Sequence, residues 1–575
     1  MVMTSTPGDW VPAAAIDDLP VGGRMLFRHY DKRIALFRTD RGIYAIDNRC
    51  PHQGYALLQG DMRQETLTCA WHNWKFELDE GGQCSFGGEN VRSYPVETRG
   101  GQVFVDITDP AAEVIAPQLF SSLLEAMGEV DIGRLARDTM RLRQIGTSLT
   151  EVVKEGVNFG APRMEYGWNH SLATLTDCLN LAAMFEGELQ AFPVIQGMSV
   201  VSQNEVRRPM RSRPDPVDPV AVYGSIGEAL GAYPSLVDDE RADEAEALLR
   251  GLIAAGVEPN RIRHALLTST TDHFLGYGHP MIYAQKSFEM LDRIGWEAAD
   301  TVLGPLVLNA VRSTRYDRLP YMKKFLKAWE SADLDLTALM SRQNGAHARP
   351  EAFGRAILDG SPQEAFTALS SALEAGVDVG RLIDVVSLAA SERFRRFDID
   401  IDTDDTNEWG WLDVTHNLTY VDALRWAWSV DPSAEVLRGL FHAVWFVNFT
   451  SRFDERMPRD RVPPKPTGRA EDIVDVIRRK DPEGAEALIA GFDGPEPELH
   501  GAIAQAGSED NSVAPIMVAH SVKTARASIV ESEVLGDRSP MMAAGRFLAS
   551  PKRERFVYNA TLEAIDFTAG RARGD

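Results

Sequence analysis

The sequence predicts a multidomain protein, an N-terminal all-β sandwich over residues 9–108 followed by a large all-α helical domain over 118–575. Three observations carry that prediction. Residues 9–108 consist of short runs rich in β-branched and aromatic side chains, separated by turn signals. From about Phe120 onward, apolar residues recur at i, i+3, i+4 and i+7, the spacing of an amphipathic helix. A chain of 575 residues also exceeds what one core organises, so two or more domains are expected.

The expected strands are Arg24–His29, Arg33–Arg38, Gly42–Asn48, Thr66–Ala70, Trp74–Leu78, Val91–Glu97 and Gln102–Ile107. Between them lie Asp31-Lys, Asp40-Arg-Gly, Asp79-Glu-Gly-Gly and Arg99-Gly-Gly, where Gly supplies positive φ and Asp bonds its own turn. Asp109-Pro110 closes the sandwich. The helical part carries long apolar-periodic stretches, among them Ser171–Phe185, Ala242–Ala255, Met290–Leu303, Val379–Ala389, Ala434–Phe449 and Ile516–Val534. Pro-rich breaks at 207–219, 457–466 and Phe492–Pro497 interrupt it, and the first two are candidate subdivisions. Ala242–Ala255 and Pro362–Ala375 both run into Gly-Val, with Gly placed for a left-handed helix cap, which suggests duplicated helical hairpins.

The chemistry concentrates between Cys50 and His72. Cys50-Pro-His52 and Cys69-Ala-Trp-His72 each pair one thiol with one imidazole, sixteen residues apart. Such pairs can hold two iron atoms asymmetrically, Cys50 and Cys69 on one and His52 and His72 on the other. This is the ligand set of a Rieske [2Fe–2S] centre. Zinc accepts the same four atoms. Zinc ribbons and fingers, however, pair Cys with Cys and His with His, so ligand type and spacing favour iron–sulfur.

Cys50-Pro-His52-Gln-Gly and Cys69-Ala-Trp-His72-Asn-Trp-Lys-Phe-Glu resemble the two cluster-binding loops of bacterial Rieske ferredoxins and ring-hydroxylating oxygenases. The resemblance covers roughly residues 9–108. High-potential members of that family carry an extra Cys in each loop, joined as a disulfide. Tyr55 and Trp71 stand at those positions. The resemblance therefore implies no bridge and a potential at the low end of the Rieske range, roughly −150 mV. Oxygenase α subunits of the family bind mononuclear iron with His and Asp in a domain built around a large antiparallel sheet, which the helical remainder here cannot form.

Hydrophobic and charged contents of 44% and 25% are those of a soluble globular protein. A net charge of −24 argues against sequence-independent binding to nucleic acid or an anionic membrane. Four cysteines (50, 69, 84 and 178), two of them ligands, are too few for a disulfide framework and fit a reducing cytoplasm. Cys84 and Cys178 read as small structural residues. Met1–Ala15 lacks the basic-then-apolar pattern of an export signal. The most apolar window, Gly439–Phe449, is about half the span of a bilayer. The expected location is cytoplasmic. No Gly-x-Gly-x-x-Gly element follows a strand and no Walker motif occurs, so the electrons are expected from an external reductase.

Nine of the twelve histidines lie after residue 160. The candidate ligands of a second metal site are His170, His264, Asp272, His273, His279, Asp413, His416, His442 and His520. His264, Thr268 and Asp272 share one helical face. The run Asp272-His273-Phe-Leu-Gly-Tyr-Gly-His279 is similar to the Asp/His/His iron motif of Rieske oxygenases, with Asp adjacent to His where the family has a gap. Gly276, Gly278 and Pro280 predict a break that turns side chains toward a pocket. Asp413 and His416 form an i, i+3 pair with Tyr420 one turn on. His520 precedes Lys523, Arg526 and Glu531 on its helix. The helix openings His170-Ser-Leu, His264-Ala-Leu, His416-Asn-Leu and His520-Ser-Val resemble questin oxidase-like proteins, which are implicated in Baeyer–Villiger-type oxygen insertion. The competing reading of each residue is a cap or a core hydrogen bond.

A bundle with inward His and carboxylates can hold non-haem iron, mono- or dinuclear, although the Glu-x-x-His pair of ferritin-like di-iron proteins is absent. The sequence thus predicts an oxidoreductase. Electrons would pass from the [2Fe–2S] cluster to a non-haem metal in the helical domain, for O2-dependent oxidation of a small organic substrate. The alternative is a non-catalytic ferredoxin-type electron carrier or redox sensor with a helical docking domain.

Overall fold

The computed structural model describes residues 9–342, 350–404, 410–455, 468–509, 512, 514–552 and 556–569; the break expected at 457–466 lies outside them. The chain divides into two compact units. The first carries the sandwich and continues through Ala126 and Asp131–Gly146; the second holds Met127–Val130 and everything from Thr147 on.

The first unit opens with β1 (Trp10–Ala15), β2 (Arg24–His29), β3 (Lys32–Arg38) and β4 (Ile43–Asp47). There follow β5 (Asp61–Arg63), β6 (Thr66–Thr68), β7 (Lys75–Glu77), β8 (Gln83–Phe86), β9 (Ser93–Tyr94), β10 (Val96–Arg99) and β11 (Gln102–Asp106). They form three sheets, ordered β1-β11-β10, β2-β3-β4-β9 and β5-β6-β7-β8. Every pairing is antiparallel. Ile34, Ala35, Leu36 and Phe37 of β3 are all buried, so this inner strand is apolar on both faces and does not alternate. The strand expected over Val91–Glu97 is two, β9 and β10, divided at Pro95, which has no N–H for the ladder. β1, β5 and β8 are not among the expected strands: β5 and β8 have three and four residues, and β1 contains Pro12. It is accommodated where the register shifts between Pro12 and Ala14.

Two helices complete this unit, α1 (Ala112–Glu129) and α2 (Ile132–Gln144). Asp131 caps α2 by accepting the Arg134 N–H. Ser122 of α1 donates to Asp138 at 2.6 Å and accepts from Arg134 at 2.9 Å, which ties α1 to α2.

Among the described residues, the regular secondary structure of the second unit is helical, apart from isolated β-bridges at Leu275–Arg315 and Phe397–Asp454. The two Gly-Val helix ends behave as the sequence implies. Gly256 and Gly376 adopt φ of +68° and +79°. Val257 N–H then reaches back to Leu252 O at 3.1 Å, and Val377 N–H to Ala372 O at 3.1 Å. Four helices, His170–Leu181, His279–Ile294, Trp411–Val430 and Pro515–Leu535, form the centre of this unit. Each packs against two of the others in a closed ring. Buried residues run around most of each circumference, as a helix enclosed by neighbours requires. Among the described residues no helix is long and apolar enough to cross a membrane.

Candidate metal centres

The first centre is built on two loops of matching shape. After β4, Cys50 N–H donates to Tyr55 O at 2.8 Å and Gly54 N–H to Cys50 O at 2.7 Å. Between β6 and β7, Cys69 N–H donates to Trp74 O at 2.7 Å and Asn73 N–H to Cys69 O at 3.1 Å. The thiols point into the core with Leu57, Leu67 and Phe76. His52 is half-buried and His72 exposed. The two imidazoles lie 4.5 Å apart, and His52 stacks on Trp74 at 4.8 Å. Tyr55 and Trp71 meet across the loops with ring centres 5.5 Å apart, a non-covalent contact where a disulfide is absent.

These residues fit a [2Fe–2S] cluster. Burial pushes the Cys50 thiol up to about 11, so a metal is needed to hold it as thiolate at neutral pH. Backbone N–H groups of His52 and Gln53 already face its sulfur. His52 Nδ1 is buried without a hydrogen-bond partner. Burial, then His72, then Arg137 lower the pKa of His52. A single zinc would draw its four ligand atoms to within roughly 3.3–3.8 Å of one another, given bonds of 2.0–2.3 Å. Among the described residues, the one group of His, Cys and carboxylates whose donor atoms all lie within 4.8 Å of each other is elsewhere.

That close group is His170, His279 and His416, in the second unit. His279 Nε2 lies 3.3 Å from His170 Nε2 and 3.0 Å from His416 Nε2. His279 Nδ1 donates to Gly276 O at 2.6 Å, and His416 Nδ1 donates to Leu412 O at 2.5 Å. A carbonyl only accepts, so both rings carry their proton on Nδ1 and present bare Nε2 lone pairs to each other. Lone pairs at 3.0 Å repel unless a cation lies between them. A backbone acceptor on the far nitrogen is the arrangement that orients metal-ligating imidazoles. His520 joins from the fourth helix, its ring 4.7 Å from His170 and 5.1 Å from His416. Its Nδ1 donates to Ile516 O at 2.7 Å, and its Nε2 is buried without a partner.

Local chain geometry sets these side chains. Gly276, Tyr277 and Gly278 have φ of +50°, +62° and +87°, a reversal that starts a new helix at His279. A Cβ on Gly278 would lie 2.6 Å from the Tyr420 ring. Tyr277 is held in its left-handed conformation by a hydrogen bond to Asp413 at 2.9 Å, and its ring packs on His416. All four imidazoles are held neutral, chiefly by burial, with Lys523 contributing to each. The pKa of His279 falls to about 3.

The other candidates lie outside this group. His264 is about half exposed and pairs with Asp431 at 2.8 Å. The helix carrying His264 and Thr268 stops at Thr271, leaving Asp272 as its exposed end, paired with Arg438. His273 is bracketed by Asp317 at 2.7 Å and Arg318 at 3.0 Å. His442 is buried between Phe274 and Phe325. Asp413 supports Tyr277 and caps the Gly410 N–H. The Asp272–His279 run therefore contributes its last residue alone, because the three positive-φ positions turn its two ends apart.

Sequence reasoning passed over a buried charge group among the same four helices. Lys286 Nζ lies 2.8 Å from Asp177, 3.4 Å from Glu289 and 3.7 Å from Asp422. Burial opposes its charge, but the three carboxylates outweigh that and raise its pKa. Lys523 has no such partner. It is 2% exposed, its Nζ makes no hydrogen bond, and burial pulls its pKa down to about 7. The available signal was a lone Lys and Asp inside strongly apolar helices.

The family profile for the Rieske [2Fe-2S] domain matches residues 9–95. The chain is 28% identical over 100 residues to the naphthalene 1,2-dioxygenase system ferredoxin component of Pseudomonas aeruginosa, covering 17% of this chain and 96% of that protein. It is 32% identical over 111 residues to the 3-chlorobenzoate-3,4-dioxygenase oxygenase subunit of Comamonas testosteroni, covering 17% of this chain and 25% of the subunit. Among solved structures, the ferredoxin of carbazole 1,9a-dioxygenase from Nocardioides aromaticivorans IC177 aligns with 25% identity over 17% of this chain and 98% of that one, with a TM-score of 0.17. The profile match, the paired loops and the half-buried Cys2His2 set agree: residues 9–95 are a Rieske [2Fe–2S] domain, joined in one chain to a large helical region.

Proposed function

We propose that the chain is an oxidoreductase in which electrons from the [2Fe–2S] cluster serve a non-haem metal in the helical unit, for O2-dependent oxidation of a small organic substrate. His170, His279 and His416 would hold that metal, with His520 beside them. The observation that carries this reading is the pair of bare Nε2 atoms 3.0 Å apart, each ring fixed through Nδ1 to a backbone carbonyl. Bound there, an iron ion would supply redox chemistry towards O2, while the cluster would supply single electrons. The residues around the site keep the imidazoles neutral and ready to ligate. Lys523 Nζ, about half protonated at pH 7, would take or give a proton there. Tyr283 Oη lies 3.4 Å from His170 Nδ1 and orients that ring. An external reductase feeding the cluster is part of the reading, by analogy with the ferredoxin components of oxygenase systems.

Metal analysis of the purified full-length protein tests it. More than two irons per chain are expected, falling to two in His279→Ala and His416→Ala while the cluster absorbance is kept. Two irons in the unaltered protein, unchanged in both variants, would leave an electron carrier and overturn the oxidase reading.

A further inference from the structure

Helix α2 lies beyond the residues matched to the Rieske family, yet it is bonded directly to a cluster-binding loop. Arg137 Nη1 donates to the backbone carbonyl of His52 at 3.0 Å. The same guanidinium donates through Nη2 and Nε to Glu89 Oε2, at 2.8 and 3.1 Å. Glu89 is 8% exposed and also pairs with Arg141, which bonds Asp138 at 2.9 Å. Asp138 is fully buried and accepts from Ser122 of α1. A continuous, partly buried network thus runs from a ligand's own peptide group to two helices outside the sandwich.

We infer that Arg137 is a positioning residue for the cluster, fixing the His52 loop and setting the reduction potential of the centre upward. Reduction adds one electron to the cluster and breaks no bond, so it increases the negative charge of a half-buried group. A guanidinium bonded to the His52 carbonyl stabilises that added charge more than it stabilises the oxidised form. Glu89 opposes it from the far side of the guanidinium, while its carboxylate holds the fork in place. The effect concerns the cluster alone and stands whether or not the helical unit binds a metal.

A redox titration of the full-length protein at fixed pH, followed by the electron paramagnetic resonance of the reduced cluster, tests this. Arg137→Met is expected to lower the equilibrium constant for reduction at least tenfold, which is about 59 mV for a one-electron couple. Arg137→Lys keeps the charge without the fork and should recover part of that loss. Glu89→Gln removes the opposing charge and should move the potential the other way. An unchanged potential in Arg137→Met with two irons bound would overturn the proposal. If Arg137→Met takes up no cluster, Glu89→Gln decides: a potential unchanged or lowered in that variant overturns it equally.

Discussion

The pH dependence of metal uptake by the histidine group follows from its burial. Metal binds neutral imidazole, so protons compete with it below each ring's pKa. Three ordinary histidines near 6.5 would each be about nine-tenths neutral at pH 7.5 and about one-quarter neutral at pH 6, and the affinity of a three-His site would fall about 50-fold. Here burial depresses every ring, His279 to about 3, so proton competition at the imidazoles starts only well below pH 6. Among the four imidazoles and Lys523, the group that titrates in this interval is Lys523, near 7; Asp177, raised to about 6 chiefly by burial, reaches only its lower edge. Its ammonium repels an incoming cation, and a site that needs it neutral loses about eightfold between pH 7.5 and 6, with the slope of a single proton. The assay is a Co2+ titration after mild chelation of labile metal, with the cluster absorbance intact, at both pH values. Lys523→Met should abolish the dependence. A fall of about 50-fold with a three-proton slope, or a Lys523→Met variant with the original dependence, would refute the reasoning.

Two further expectations concern the support of the site. Gly278→Ala places a Cβ 2.6 Å from the Tyr420 ring at a φ of +87°, so His279 must shift. Metal affinity should drop at least tenfold while the reduced-cluster spectrum stays the same; an unaltered affinity would show that the turn is not what aims His279. Lys286→Met leaves Asp177, Glu289 and Asp422 buried without their cation and should cost about 3–5 kcal/mol of unfolding free energy. Urea denaturation followed by far-ultraviolet circular dichroism reads that loss, and a change below about 1 kcal/mol would mean that water reaches the pair.

The β unit was legible because its signals are local. Alternation and turn residues located most of the strands, and the two Cys-x-His and Cys-x-x-His loops identified their own chemistry. The misses there are β1, β5, β8 and the division at Pro95. β1 and Pro95 involve a proline whose effect depends on its neighbours in the sheet, and β5 and β8 are runs of three and four residues, too short for alternation to show. In the helical unit, periodicity located many of the helices, and the Gly-Val signals located two caps. But Leu149–Gly160, Ala191–Glu205, Ile226–Asp238 and Ser539–Ala549 were missed, and the stretch Met290–Leu303 is divided at Gly295, whose φ is +96°. The second site was another matter. His170, His279, His416 and His520 were all among the candidates, but so were His264, Asp272, His273, Asp413 and His442, and nothing local separates the two sets. His273 and His279 sit six residues apart, yet a run of three positive-φ residues sends one between Asp317 and Arg318 and the other to the centre.

The sequence by itself determined the Rieske domain, because its two Cys/His loops are short segments whose spacing and donor types are read locally. It also determined the change from strand to helix, since both periodicities are read within a few residues. Only the tertiary structure decided which histidines meet. They come from four helices spread over some 350 residues of chain, and their convergence depends on a ring of helix packings that no window of sequence contains. The same packing buries Lys523 away from any partner and sets its proton affinity, a property of enclosure and not of the residue.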